Sequence, residues 1–317
     1  VDRPAEGFSG KDTITVEVTD GAVGDPSAAT ATLAIPVEVQ PEESNLPPTF
    51  QGALLEVEQG GPASTLDLSA GAEDPENDDL SYALGEYDEV PGVSLSLEGA
   101  TLTATATSKA AKGTVIDVPV TVSDGTNPEV PATIQITVGG SQRPQIAAAL
   151  DEVQIDAGRT EEVDVLANDS NPFPGGERTV TSASLVAGDG EVEVTGNKVT
   201  ITPAADYHGI LSAEYRVRDD TEDPDREVSG MVRATVRGHP EAPSAPRIGE
   251  IGDGFVELTF NAGADNGAPI TGYTVSSASG PAVTKECEST SCTITGLTND
   301  TEYTFQVAAV NEVGTGD

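Results

Sequence analysis

The chain has no tryptophan, one methionine, two cysteines and two histidines in 317 residues, and aromatic side chains make up only 4% of it. Each shortage excludes something. The cores have to be assembled from Val, Leu, Ile and Ala, a mix that suits thin sheets with small side chains. Two cysteines are too few for a disulfide-built scaffold, and neither they nor the histidines have the spacing of a zinc site. Without Trp, and with only scattered Tyr, sugar rings would find little to stack on. Basic residues are short as well: 15 Lys and Arg stand against 54 Asp and Glu, a formal net charge of −39. A field of that sign repels nucleic acid and anionic membrane surfaces and favours cations. No apolar run approaches the length of a membrane span or a secretory leader, so no direct membrane insertion is expected of this segment. Catalytic equipment is also missing. No glycine loop leads from a strand into a helix, and there is no nucleophile elbow or metal-binding His pair, so the expectation is a non-enzyme.

What is present is a repeated pattern punctuated by 34 Gly and 22 Pro. Its fullest copy is VTITPAADYHGILSAEYRVRDD at 199–220. A short β-branched run stops at Pro203, a polar turn runs to Gly209, and a strand follows in which Leu211, Ala213, Tyr215 and Val217 share one face. A turn of that length and polarity suits strands that lie in different sheets of a sandwich. His208 falls in this turn, where a structural role is expected of it. Related runs carry Ile14, Val16 and Val18; Ile116, Val118, Val120 and Val122; and Tyr303, Phe305, Val307 and Ala309. Three copies end in V-x-D, at Asp20, Asp124 and Asp219, whereas the last ends in Val310-Asn311. A spacing of roughly 90–105 residues is too long for a solenoid and fits whole β-sandwiches in tandem. The expected organisation is therefore the last part of a sandwich at 1–40, complete sandwiches at 47–139 and 144–238, and a fourth unit at 242–317. The linker at 38–49 is rich in Pro and Glu and should be extended and fairly stiff. Like charge along the array favours an elongated shape, and the chain is expected to be monomeric. Seven short strands are expected in each complete unit, including 66–69, 115–122 and 133–138 in the first and 162–166, 199–202 and 211–218 in the second, with no helix longer than a turn.

The sequence VLANDS at 165–170, with ITPAADYHG at 201–209 and YRVRD at 215–219, resembles the bacterial cadherin-like or Ig-like repeats of large surface proteins. AEDPENDDL at 72–80, with Tyr82, resembles the Asp-Pro-Asp-Gly-Asp loop of the same family, with Asn77 in place of the glycine. Asn is the residue that next most readily takes a left-handed conformation. Residues 242–317 are similar to a fibronectin type III domain. The match is carried by VELTF at 256–260, DNGAPITGYTV at 265–275, CTITGL at 292–297, and a Leu297 to Tyr303 spacing that fits a tyrosine corner. Phe260 stands where that family usually has Trp, and the chain stops before the last strand of the fold, so an open sheet edge is expected. The fold class implied is all-β, an elongated series of Ig-like or cadherin-like sandwiches followed by a fibronectin type III sandwich. Low Lys beside abundant Ala, Gly, Asp and Thr points to a high-GC, actinobacterium-like source.

Three local features follow as expectations. In a sandwich, the loop after the second strand and the loop before the last strand lie where the preceding linker enters. This would bring Asp74, Glu76, Asn77, Asp78 and Asp79 near Asp124, Glu129 and the linker residues Glu42 and Glu43. Such convergent hard oxygens suit calcium, and a solvated acidic loop is the alternative. At the next joint, Asp219, Asp220, Asp223 and Asp225 are interleaved with Arg143, Arg178 and Arg226, which favours internal ion pairs. Cys287 and Cys292 flank a polar turn between two strands, so a disulfide across a hairpin is expected, together with an oxidising, extracytoplasmic setting. The function expected from these features is a non-catalytic stalk or adhesion module, on a cell surface or secreted, that meets a protein or glycan on another cell or in the matrix. The alternatives are a spacer within a polysaccharide-degrading enzyme and a receptor-like fibronectin type III module that binds a host protein.

Overall fold

A computed structural model describes residues 8–22, 26–39 and 45–317. Strand alternation builds it throughout. In Val115–Ser123 the side chains of Ile116, Val118, Val120 and Val122 are buried while Asp117 and Pro119 face outward, the two-residue period of a half-buried strand. Among the described residues the only helical pieces are two single turns, Leu68–Gly71 and Pro224–Arg226.

Residues 47–139 and 144–238 share the topology of their two larger sheets, and the first adds a short antiparallel pair, Thr49–Phe50 with Ala72–Glu73. In the first, one sheet runs Ala53–Glu58, Val130–Gly139, Val115–Ser123, Ser81–Leu84, and the other Ser64–Asp67, Thr101–Ala106, Val93–Glu98. In the second, the corresponding orders are Asp151–Asp156, Val228–Arg237, Gly209–Arg218, Thr179–Ala187 and Glu161–Val163, Lys198–Pro203, Gly190–Thr195. In both units the first strand of the four-stranded sheet lies parallel to the last, and the remaining strand pairs are antiparallel. The turn at 204–208 joins strands in different sheets, as its length and polarity imply. Two expected strands end earlier than the sequence suggests, at Asp67 and Val163. Leu68 is buried from the single helical turn, whose start is capped by Asp67 accepting from Ser69 N. Val165 and Leu166 leave the sheet after Val163 and enter the core from a turn.

Residues 247–310 form a sandwich of a different plan. Arg247–Gly252, Phe255–Thr259 and Ser291–Thr295 make one sheet, and Thr284–Cys287, Gly272–Ser279 and Thr304–Val310 the other. Here the first strand pairs antiparallel with the second. Phe260 is buried and packs edge-on against Tyr273 at 4.9 Å, filling the Trp position with a smaller ring. Tyr303 Oη accepts from Thr298 N at 3.0 Å, closing the tyrosine corner. Thr304–Val310 is an edge strand, bridged beyond Val310 only at Thr315. Cys287 and Cys292 are disulfide-bonded with Cα atoms 5.8 Å apart, but not across a hairpin. Their strands belong to opposite sheets, because Cys287 pairs with Tyr273 and Cys292 with Leu258, so the bond ties the two sheets together inside the core.

Gly10–Thr19 and Thr30–Val39 form a two-stranded antiparallel hairpin. It has the place in the repeat pattern of the last two strands of each following unit. Its apolar face, Ile14, Val16 and Val18 opposite Ile35, Leu33 and Ala31, is exposed. The whole chain exposes 18750 Å², whereas a compact globule of its 32.3 kDa would expose about 12,000 Å². It is an elongated series of small cores, each with its own cluster of buried Val, Ile, Leu and Ala.

Candidate functional site

The polar chemistry of this chain collects at the joints. At the first joint the structure brings Glu76 and Asp124 to the incoming linker: Leu46 N donates to Glu76 Oε2 at 3.1 Å and Asn45 Nδ2 to Asp124 Oδ2 at 3.2 Å. Asp74 shapes its own loop, its Oδ1 accepting from Glu76 N and Asp78 N, and Asn77 takes the left-handed conformation with φ 61°. Asn77, Asp78, Asp79 and Glu129 are exposed. Glu42 and Glu43 lie outside the described residues. Asp124 accepts from Thr126 N, Asn127 N, Asn127 Nδ2 and Asn45 Nδ2, and the Asn127 hydrogen bonds above all hold its carboxyl down to about 2. Its charge is thus met by N–H donors. Among the described residues no three His, Cys, Asp or Glu side chains converge as a metal centre. Two buried oxygens at this joint, Asn45 Oδ1 and Asp74 Oδ2, have no hydrogen-bond partner.

The second joint is clasped more tightly. Asp219 is 2% exposed, and its Oδ1 accepts from the backbone and hydroxyl of Thr221 while its Oδ2 takes Nε and Nη2 of Arg226 at 2.8 Å. The rest of that guanidinium grips the linker: Nη1 donates to Ser141 O and Arg143 O, and Nη2 to Pro144 O. Every donor of the fork is therefore used, which a buried arginine requires. Arg143 and Arg178 do not meet the aspartates. Arg143 donates to Gly60 O and Pro172 O, and Arg178 to Leu166 O and Asp169 O, because both side chains lie nearer exposed carbonyls of neighbouring turns. Phe173 fills the space between, with the guanidinium carbons of Arg143 and Arg226 5.2 and 5.7 Å from its ring centroid. A Cβ on Gly60 would come within 2.6 Å of that ring, so only glycine, at φ 64°, admits it there.

The preceding sandwich contributes cations to the same loop. Lys109 reaches Asp220 at 3.2 Å and Glu222 at 3.0 Å; Lys112 reaches Asp223 at 3.0 Å and Asp225 at 2.7 Å. The hydrogen bond to Glu222 chiefly pushes the Lys109 ammonium up to about 12. Burial alone would raise Asp220 and Asp223. Hydrogen bonds from Ser108, Glu177 N and Lys109 to the first, and from Lys112 and Asp225 N to the second, outweigh it and hold both below the ordinary value. Gln59, 1% exposed, directs its amide at Ser108 O, Ala110 O and Thr221 O, linking both units. These three residues are not evident as joint residues from motif or spacing. The available signal is one of composition: residues 47–139 contain 15 Asp and Glu but no basic residue except Lys109 and Lys112.

The third joint repeats the theme. Arg237 pairs with Asp156 at 2.7 Å and Glu312 at 3.1 Å, and Asn311 Nδ2 donates to Gly238 O at 2.8 Å. Asn266 Nδ2 donates to His239 O at 2.7 Å, and Glu241 N to Ala264 O at 2.8 Å.

Two family models match parts of this chain. The family model of the fibronectin type III domain matches residues 241–317, and that of the bacterial Ig domain matches residues 141–231. Contactin-4 of Homo sapiens is 34% identical over 100 residues, which is 28% of this chain and 10% of contactin-4. The chain spans about a tenth of the length of the curated relatives it matches. Among solved structures, human CDH23 EC21-23 aligns over 81% of this chain and 91% of its own, at 18% identity and a TM-score of 0.39. A titin fragment aligns over 86% and 95%, at 15% identity and a TM-score of 0.35. By its sheet topology and these two family matches, the chain is an elongated all-β array of Ig-like or cadherin-like sandwiches followed by a fibronectin type III-like sandwich.

Proposed function

We propose that this chain is a non-catalytic, extracellular stalk and adhesion segment, surface-bound or secreted, that holds its sandwiches in line and offers their loops to a protein or glycan partner. The observation that carries this reading is the second joint. A buried arginine, two lysines, a glutamine and a phenylalanine from both sides of the linker fix one sandwich on the next, an arrangement suited to projection and not to hinge closure. The buried disulfide supports an oxidising compartment, and the match to the bacterial Ig domain supports a bacterial source.

Small-angle scattering on the whole chain tests the stalk. A maximum dimension several times the width of one sandwich, unchanged between low and high salt, is expected, and a compact particle overturns the reading. A side-by-side pull-down with residues 144–238, residues 242–317 and the full-length protein separates the rivals. Binding confined to 242–317 favours a receptor-like module, and glycosidase activity in the full-length protein alone favours a spacer.

Calcium at the first joint belongs to the same proposal. The unpartnered buried oxygens of Asn45 and Asp74, beside Glu76 and Asp124, support it. Calcium is expected to raise the melting temperature relative to chelator and to make the segment around Asn45 more protected from hydrogen exchange. Equal behaviour in both buffers leaves an acidic loop satisfied by its own N–H groups.

A further inference from the structure

The 47–139 sandwich leaves part of a sheet edge unpaired. Its strand Val115–Ser123 is paired on one side from Val115 to Val122, by Val130–Gly139, but on the other side Ser81–Leu84 accompanies it only from Ser123 back to Val120. Gly85 N then donates to Pro119 O at 2.8 Å, and there the ladder stops, because Pro119 has no N–H to return. Backbone groups of alternate residues face the same side of a strand, so the N–H and C=O of Asp117 and Val115 face this gap. Among the described residues neither has a backbone partner there. The corresponding edge of the 144–238 sandwich is filled: Thr179–Ala187 pairs with its neighbour from Arg218 to Ser212, and only Gly188 and Asp189 separate it from the next strand. In the 47–139 unit residues 85–92 lead the chain off the edge instead.

An apolar groove of about 430 Å³ adjoins the gap. Ile116 lines it from the strand with the open edge, Leu95 from Val93–Glu98, the edge strand of the facing sheet, and Tyr87, Val90 and Pro91 from the loop. The same loop carries Glu86, Asp88 and Glu89, all exposed, and Asp117 is exposed on the strand. These four acids have no counter-charge. The only basic residues of this sandwich, Lys109 and Lys112, are spent on carboxylates of the following unit, and among the described residues no ion pair reaches the four.

We propose that this edge binds an extended segment of a partner protein in which Lys or Arg alternates with apolar residues, added as a short strand beside residues 115–117. The backbone of the segment completes the hydrogen bonds that Asp117 and Val115 leave open. Side chains of an extended chain point alternately to its two faces, so one face sets an apolar residue over Ile116 and Leu95. The other face and the flanks carry the cations, which meet Asp117 on the strand and Glu86, Asp88 and Glu89 on the loop. Charge selects this occupant: an acidic or neutral segment gains nothing from the four carboxylates, and the field of a chain with a net charge of −39 draws a basic one in. The proposal deepens the adhesion reading by giving it a place and a partner chemistry, and rests on it only in expecting a protein partner. The stalk itself, tested by scattering, stands or falls separately.

The test uses the whole chain and the capped peptide Lys-Val-Lys-Leu-Lys-Val-Lys, with Lys-Gly-Lys-Gly-Lys-Gly-Lys and Glu-Val-Glu-Leu-Glu-Val-Glu as comparators. In the free protein the amides of Val115 and Asp117 should exchange quickly between protected neighbours at Ile116 and Val118. The first peptide should slow their exchange by about tenfold or more, and each comparator should bind at least about tenfold more weakly. Asp117→Pro, which removes an N–H that has no partner in the free protein, should weaken binding by about tenfold. The triple change Glu86→Lys, Asp88→Lys and Glu89→Lys, confined to an exposed loop, should do the same and decides the matter if Asp117→Pro does not fold. No binding of the first peptide at about 1 mM overturns the proposal, as does equal binding of the glycine peptide, which shows attraction by charge alone. Protection that appears along Thr304–Val310 instead, or affinity undiminished in both variants, also overturns it. Protection of Val115 and Asp117 that grows with protein concentration in the absence of peptide overturns it in favour of a second copy of this chain.

Discussion

Asp124 and Asp219 occupy the same place in successive copies of the repeat, at the end of Val122-Ser-Asp and Val217-Arg-Asp, and they do the same task with different partners. Each anchors a loop that reaches for the linker entering its sandwich. At the first joint the contact is a pair of amides, Asn127 Nδ2 to Asn45 O and Asn45 Nδ2 to Asp124. At the second it is a guanidinium, with Asp219 as its buried counter-charge and three linker carbonyls as its acceptors. The comparison teaches that the position specifies a linker grip and the residue chosen sets its strength. Neutral amides exchange protein for water hydrogen bonds at little net gain, whereas a fully bonded buried ion pair fixes one geometry and is costly to break on one side.

Breaking the stronger grip should have the largest effect. Arg226→Ala leaves Asp219 buried and unpaired and strips three carbonyls of their donor, so destabilisation of the 144–238 unit by about 3–5 kcal/mol is expected in chemical denaturation, with a larger radius of gyration. Next comes a control outside both joints. Cys287→Ala with Cys292→Ala should lower the stability of the 242–317 unit by about 2 kcal/mol and leave the scattering curve unchanged, because that bond ties two sheets and no linker. At the weaker grip, Asn127→Ala should cost about 1 kcal/mol in the 47–139 unit and raise hydrogen exchange at Thr126 and Asn127. Smallest is Lys109→Met with Lys112→Met. These side chains are nearly half exposed, so the loss should be the smallest of the series, and added salt should reproduce most of it.

Acid sharpens the same contrast. Asp220 and Asp223 have folded values below 3.8, so their contribution to the second joint is complete above that pH and is lost as the pH falls through the folded values. Scattering should therefore show that joint loosening only in strong acid.

The cores were the legible part of this chain. Alternating Val, Ile and Leu in runs such as 115–122 and 211–218 fix a strand and its buried face without reference to anything distant, and the corner at Leu297 and Tyr303 was legible through the resemblance to the fibronectin type III pattern. The joints were legible only in outline. The loop around Asp74, the loop around Asp124 and the linker do meet, but whereas Asp219 finds its cation in nearby Arg226, the partners of Asp220, Asp223 and Asp225 lie more than a hundred residues away, at Lys109 and Lys112. Side-chain pairing across that distance leaves no periodic trace, so Arg143 and Arg178 looked equally suited to those aspartates. Both instead donate to backbone carbonyls of neighbouring turns. The disulfide was legible as a bond but not as a link between sheets, because five residues of separation suit a hairpin and a sheet-to-sheet crossing equally well.

The parallel pairing of first and last strands has a mechanical consequence. In the 47–139 and 144–238 units the chain enters at the start of Ala53–Glu58 or Asp151–Asp156 and leaves at the end of Val130–Gly139 or Val228–Arg237. Tension between the two ends pulls these neighbours in opposite directions along a common axis. Their six-residue registers are therefore loaded in shear, with all the hydrogen bonds bearing the load together, whereas an antiparallel pair pulled from its open end parts one bond at a time. Residues 247–252 lack such a partner, being paired antiparallel with Phe255–Thr259. Under load, the fibronectin-like unit is the one expected to yield first.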